Sequence, residues 1–276
     1  MADAYHLRIR PSRGFRAPDL LECWDFRALV AALAMRDIKL RYRQTALGIA
    51  WVILQPLVAS GVLAFVFGTI AQVTRPERSS VFIFVLGGFI GWTLFSATFT
   101  RAGQSLLQHS MLISKVYFPR LILPISAAAS GLLDAGVGLA FFAFLKLLSG
   151  SSFGLEIITL PLWLAILVML ALGLGLITAA LSVRFRDVQH ITPVFIQVLF
   201  YASPVAYQMA SVPKKWLGLF SLNPMAPLLE GLRWSLLGEG YVRLPSVIYL
   251  LCTSLLILAL GLLVFRRAER EFADVM

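Results

Sequence analysis

Residues 44–74, QTALGIAWVILQPLVASGVLAFVFGTIAQVT, decide the fold class, because they run for 31 positions without one ionisable side chain. The chain enters this stretch through a basic segment, LRYR at 40–43. An α-helix rises about 1.5 Å per residue, so roughly 20 apolar residues cross a hydrocarbon layer about 30 Å thick. The stretch therefore predicts a membrane span with residues to spare.

The composition of the whole chain is that of an integral membrane protein. Of its 276 residues, 59% are hydrophobic and 14% are charged, and the mean hydropathy is +0.84. The net charge of +10 is not gathered in a separate basic domain. Anionic lipid headgroups and an acidic partner surface are therefore the expected counterparts, and nucleic acid is not. Cys23 and Cys252 show neither disulfide nor metal-site spacing.

Six stretches are long and apolar enough to cross, which predicts an all-α membrane protein of one domain. They lie at 46–70, 80–100, 121–145, 157–183, 190–213 and 244–265. Residues 216–229 are too short and contain Pro224 and Pro227, which favours a re-entrant hairpin over 216–238. The predicted organisation is a cytoplasmic arm (1–45) without a cleavable signal peptide, a six-helix domain (46–265) and a tail (266–276).

Positive charge predicts the orientation. The arm, the 101–120 and 184–189 connections and the tail carry 17 Lys and Arg, against 7 in the other connections. Since Lys and Arg accumulate on the cytoplasmic side, both termini are expected there. A seven-span alternative would place Arg266, Arg267 and Arg270 outside, against this rule.

The arm contains an amphipathic pattern before the first span. Apolar Phe26, Leu29, Val30 and Leu33 recur at helical spacing, and Asp25 could cap the helix. This predicts an interfacial helix over 26–39. The alternative is a simple anchor whose charges only orient the first span.

Polar and aromatic side chains inside the predicted spans are the remaining candidates. Asp134 is placed near the middle of the third span, where a carboxylate needs a partner, protonation or water. The structural interpretation is a partner on a neighbouring helix, such as a Gln or Ser, or a loop end if the span is shifted. The functional alternatives are proton relay and substrate contact. Gln55 would either hydrogen-bond between helices or line a polar channel. The aromatic residues would either lie in interfacial belts and face lipid, or line a channel in which their rings stack on sugars. The candidate channel residues are Trp51, Gln55, Phe65, Phe67, Trp92 and Phe95.

Sequence motifs for catalysis are missing. The chain contains no nucleotide-binding loop, dinucleotide fingerprint, zinc-protease motif or nucleophile elbow. We therefore expect a chain that is not an enzyme. Uphill movement of a substrate would then need energy from an ion gradient or from another subunit. Few titratable groups lie inside the predicted spans, which argues against the gradient.

Five motifs, in order along nearly the whole chain, resemble type-2 ABC exporter permeases, and most closely those that export O-antigen and other polysaccharides. They are LRYRQTALGIAW with LQPL at 40–57, LISKVYFPR with LP at 112–124, RFRDV at 184–188, LNPMAP at 222–227 and FAD at 272–274. The resemblance implies a half-transporter that pairs with a second copy and with two copies of a separate ATPase. ATP and Mg would bind that ATPase, and the substrate would be a polyprenyl-linked glycan in the bacterial inner membrane.

The resemblance also implies roles for charged and polar residues at both membrane faces. Contacts that couple the chain to the ATPase are expected from Lys115, Val116, Tyr117, Phe118, Pro119, Arg120, Arg184, Arg186 and Asp187. The cytoplasmic entrance is expected at Arg36, Lys39, Arg41, Tyr42 and Arg43, and an exit gate at Asn223, Pro224, Glu230 and Arg233. The alternatives are a permease for teichoic acid, a drug or a small lipid, and a membrane-embedded glycan enzyme.

Overall fold

The computed structural model describes residues 24–43, 48, 50–72, 79–115, 118–240 and 242–269. Within these ranges the chain is helical without any strand, and the predicted all-α class is confirmed. The α-helices are α1 Arg27–Tyr42, α2 Ala50–Ala64, α3 Val81–Gln108, α4 Ser110–Lys115, α5 Ile122–Leu148, α6 Leu160–Arg184, α7 Val188–Tyr201, α8 Lys214–Ser221, α9 Met225–Leu237 and α10 Leu244–Glu269.

Five helical stretches in the described ranges are long and apolar enough to cross a membrane. They are Ala50–Ile70, Val81–Gln108, Ile122–Leu148, Leu155–Arg184 and Leu244–Glu269. The first combines α2 with a π-helical end, Phe65–Ile70, and the fourth begins with a 3-10 turn, Leu155–Thr159. Within the predicted span 190–213, the helix ends at Tyr201. The count of six spans therefore stays a prediction.

Helix α3 lies at the centre of the bundle. It packs against α5 and α6, and α6 packs in turn against α10. The larger apolar core joins α3, α6 and α9 through residues such as Phe95, Leu167 and Leu229. A second cluster joins Leu33 of α1 to Leu106, Ile122 and Phe265. Because α1 contributes to this cluster, its apolar face packs on the bundle and is not left to lipid alone.

Helix α1 confirms the predicted arm helix, but its start differs from the expected one. Phe26 takes the capping position without a side-chain hydrogen bond, so the prediction that Asp25 caps the helix is wrong. The backbone carbonyl of Phe26 accepts from the N–H groups of Leu29 and Val30, and these bonds begin the helix.

Helix α3 continues eight residues beyond the predicted end of the second span, to Gln108. The predicted connection 101–120 therefore begins inside a helix. Apolar and small residues at 102, 103 and 106 are buried, and they extend the packed face of α3 past its first charged residue. Arg101 consequently belongs to the bundle and not to a surface loop.

The segment before the last span folds as two short helices, α8 and α9. Helix α9 is buried along most of its length. It ends at Gly238, whose φ of +69° is a left-handed conformation that glycine adopts without strain. This pair of helices occupies the predicted re-entrant segment, and its depth in the membrane stays a prediction.

Candidate functional site

A cleft of about 670 Å³ opens between the end of α1 and helices α2, α3 and α5. Its lining mixes apolar positions with polar side chains that sequence analysis assigned to different roles. The polar and aromatic lining residues central to its chemistry are Arg41, Trp51, Gln55, Thr100, Arg101 and Asp134. The predicted entrance and the predicted channel lining thus meet in one cavity, through Arg41 from the first set and Trp51 and Gln55 from the second.

Asp134 is paired with two arginines in this cleft. Arg101 Nη2 donates to Asp134 Oδ2 at 2.8 Å, and Arg41 Nη1 donates to the same oxygen. Arg101 Nη1 also donates to Ser130 Oγ at 3.3 Å. This pairing explains how α5 tolerates a carboxylate near its midpoint. The predicted partner on a neighbouring helix is thus present as Arg101 of α3, although its group is a guanidinium and not a Gln or Ser side chain.

The role of Arg101 was missed because the sequence placed it in a connection. A signal was nevertheless present in the sequence. Arg101 directly follows the second predicted span, Asp134 lies inside the third, and the two side chains carry opposite charges. Such charges in adjacent spans are expected to pair.

The other predicted channel residues do not line the cleft. Phe95 is fully buried and Trp92 nearly so, and both belong to the core. Their rings lie 5.6 Å apart, between centroids. Phe67 packs against the same core, and Phe65 is exposed on the outer face of the first span. Trp51 and Gln55 are therefore the predicted channel residues that line the cleft.

The predicted coupling element divides into an exposed and a buried part. Lys115 is exposed at the end of α4, while Val116 and Tyr117 lie outside the described residues. Phe118 is only 6% exposed and packs in the second core cluster. The ring of Phe118 therefore packs within the chain, and its contact with the ATPase stays a prediction.

The remaining coupling candidates lie at the same end of the bundle. Arg120 Nη1 donates to the backbone carbonyl of Glu269 at 2.6 Å, which ties the start of α5 to the end of α10. Pro119 is half-buried. Arg184, Arg186 and Asp187 are exposed between α6 and α7, where a soluble partner can reach them.

The entrance candidates lie along α1 and just after it. Lys39 and Arg43 are exposed. Arg36 Nη2 contacts His109 Nε2 at 2.5 Å, and His109 Nδ1 contacts the carbonyl of Ser105 at 2.9 Å. For both contacts to be hydrogen bonds, the neutral ring carries its proton on Nδ1 and accepts from Arg36 on Nε2. Tyr42 belongs to α1.

Asn223, one of the predicted exit-gate residues, ties the turn after α7 to the start of α9. Asn223 Nδ2 donates to Ala202 O at 2.9 Å and to Ser203 Oγ at 3.0 Å, while its Oδ1 accepts from Met225 N at 2.9 Å. Pro224 precedes the first residue of α9. These contacts hold the segment in place, and its role as a gate stays a prediction.

Of the two charged residues of this segment, Arg233 is buried and Glu230 is half-buried. Arg233 stacks on the ring of Phe84 at 4.3 Å and donates to Tyr207 O at 3.2 Å. Glu230 Oε1 accepts from Met209 N at 3.2 Å. Burial raises the pKa of Glu230, and the positive charge of Arg233 acts in the opposite direction.

Comparison with known proteins gives consistent matches along the chain. O-antigen export system permease protein RfbA of Klebsiella pneumoniae is 24% identical over 249 residues, which cover 90% of this chain and 95% of the relative. RfbA of Myxococcus xanthus is 26% identical over 255 residues, covering 92% and 97%. Polysialic acid transport protein KpsM of Escherichia coli is 28% identical over 246 residues, covering 87% and 93%.

A sequence profile described as ABC-2 type transporter matches residues 28–237. This range includes every residue that lines the cleft. Because the profile spans most of the chain, the protein belongs to the ABC-2 type transporter family of membrane proteins.

Proposed function

We propose that this chain is the permease subunit of an ATP-driven exporter that moves a lipid-linked polysaccharide across the bacterial inner membrane. The observation that carries the proposal is full-length similarity to relatives whose names specify O-antigen export and polysialic acid transport. The cleft adds support, since Trp51 offers a flat ring and Gln55 and Thr100 offer hydrogen-bonding groups. Sugars are bound by this combination of stacking and hydrogen bonding.

In this proposal, two copies of the chain pair in the membrane and two copies of a separate cytoplasmic ATPase bind ATP with Mg. Both termini lie in the cytoplasm. The exposed α4 and the 184–187 segment contact the ATPase, and Lys115, Arg184 and Arg186 face acidic groups there. The lipid-linked glycan passes between the two copies and leaves past α8 and α9.

The hydrogen bonds around His109 provide a route from the ATPase contact to the cleft. His109 is the residue between α3 and α4 and is bonded to Arg36 of α1. Arg41, farther along α1, is bonded to Asp134 in the cleft. A movement of α4 is therefore passed to α1, and α1 passes it to the cleft lining.

The proposal is tested by coexpressing the chain with a candidate ATPase subunit from the same organism and measuring copurification and ATP-dependent export. The double variant Lys115→Glu and Tyr117→Ala is expected to lower both, because it reverses a charge and removes a ring at the proposed contact. Arg243→Glu is the control, since this arginine is also exposed but lies outside the proposed ATPase contact and outside α8 and α9. Normal export by the double variant would disprove the coupling role, and ATPase-independent glycan turnover would disprove the proposed function.

A further inference from the structure

The cleft carries an excess of positive charge. Among the described residues that line it, the ionisable ones are Arg41, Arg101 and Asp134. The described lining therefore contains two cationic side chains and one anionic side chain. Most other lining positions are apolar, such as Val52, or carry uncharged polar groups. Because charges interact strongly where water is partly excluded, such a cleft attracts an anion.

The two arginines are arranged to share one anion. Both donate to the same oxygen, Asp134 Oδ2, so their donor groups converge on a single point. A phosphate presents several oxygens that can bridge two guanidinium groups in this way. The hydrogen bond from Arg101 to Ser130 Oγ holds one of the two groups in position.

The cleft is accessible and large enough for such a ligand. The side chains of Arg41, Arg101 and Asp134 are 30%, 26% and 19% exposed. The volume of about 670 Å³ is within the range of small-molecule sites and exceeds the size of one phosphate group. The remaining space, bordered by Trp51 and Gln55, is available to whatever the phosphate is attached to.

We propose that the cleft binds a phosphate or diphosphate group, which replaces Asp134 on Arg41 and Arg101. Asp134 is then a reversible counter-ion that positions both arginines while the cleft is empty. Binding breaks the ion pair between Arg41 of α1 and Asp134 of α5, and so removes this polar link between the two helices. The diphosphate as the physiological group rests on the proposed function, whereas the anion site rests only on the charges and their geometry.

Opposite effects of neighbouring substitutions distinguish this proposal from a structural ion pair. Arg101→Gln and Arg41→Gln each remove one donor and should weaken anion binding about tenfold, as expected for loss of a charge-assisted hydrogen bond. Asp134→Asn keeps the shape of the side chain and removes the competing charge, so it should tighten binding several-fold. Misfolding cannot cause this gain in affinity.

The experiment titrates the full-length chain, purified in a neutral detergent, with inorganic pyrophosphate and with a polyprenyl diphosphate by calorimetry. Arg243→Gln is the control, because this exposed arginine lies outside the cleft. Weaker binding by the two cleft arginine variants, tighter binding by Asp134→Asn and an unchanged control would support the site. Absence of binding by the unmodified chain, or no gain with Asp134→Asn, would overturn it.

The two probes separate the possible sources of the anion. Equal affinity for both supports a site for soluble phosphates, and a strong preference for the polyprenyl diphosphate supports a lipid headgroup site. Export is measured separately on the same variants. A chain that binds the anion as expected but exports no glycan retains the anion site and disproves the proposed function.

Discussion

At the scale of single residues, Lys146 shows how a buried charge joins two helices. Its side chain is only 4% exposed although it lies in the last turn of α5. Lys146 Nζ donates to the carbonyl of Leu236 at 2.7 Å and lies 4.4 Å from the ring centroid of Phe153. The last carbonyls of a helix lack partners within it, and a cation there also interacts favourably with the helix dipole. Lys146 therefore completes the end of α9.

We expect Lys146→Met to destabilise the protein by about 2 kcal/mol, because a buried carbonyl loses a charged donor. Methionine keeps most of the apolar stem, so the loss reports the ammonium group. Thermal unfolding in one fixed detergent measures the effect. Lys215→Met is the control on an exposed lysine and should change stability by less than about 0.5 kcal/mol. Equal unfolding temperatures for the two variants would contradict the assigned role.

At the scale of elements, glycine allows α6 and α10 to approach each other closely. A Cβ atom on Gly173 would lie 2.7 Å from Leu258 N and 2.8 Å from the carbonyl carbon of Ile257. Backbone atoms cannot move aside as a flexible side chain can. The two helices would therefore have to separate.

Gly173→Ala is accordingly expected to cost about 1–3 kcal/mol through overpacking. Gly136→Ala is the control, because a Cβ there has nothing within 4 Å and Gly136 also lies in a membrane helix. Since alanine is the better helix former by up to about 1 kcal/mol, this control should unfold at the same or a higher temperature. If both variants behaved alike, close approach would not explain the glycine at 173.

The connection between α1 and α3 makes a second prediction at this scale. Arg36 and His109 are hydrogen-bonded although 73 positions separate them. Arg36→Ala and His109→Ala should each cost about 1 kcal/mol of stability, and the double variant should cost less than their sum. A double-mutant cycle from thermal unfolding measures this coupling. Strict additivity would show that the pair does not join the helices in solution.

At the scale of the whole molecule, orientation follows from charge and is open to a direct test. In a background with Cys23 and Cys252 replaced by Ser, Ser152→Cys should react with a membrane-impermeant maleimide in intact cells. Ser152 lies between the third and fourth predicted spans, in a connection that the charge count places outside the cytoplasm. Gln189→Cys should react only after permeabilisation, because the 184–189 connection is predicted to face the cytoplasm. Both positions are exposed in the structure. The reverse labelling pattern would reject the predicted orientation.

Much of the helical architecture could be predicted because membrane insertion depends on local apolar length. The stretch predicted at 244–265 lies within α10, and the stretch predicted at 121–145 begins one residue before α5 and otherwise lies within it. The end of α3 was harder to predict, since its extension to Gln108 depends on burial against other helices. The 14-residue α7 likewise ends at Tyr201, although apolar residues continue beyond it.

The sequence by itself determined that the protein is embedded in a membrane, because thirty-one consecutive residues without an ionisable group leave no soluble alternative. Only the tertiary structure decided where the charges at the ends of such stretches meet. Arg41 and Arg101 reach Asp134 across separations of 93 and 33 positions. The physical reason is that hydropathy and helical periodicity are local properties, whereas the rotation and packing of whole helices select which side chains share a cleft.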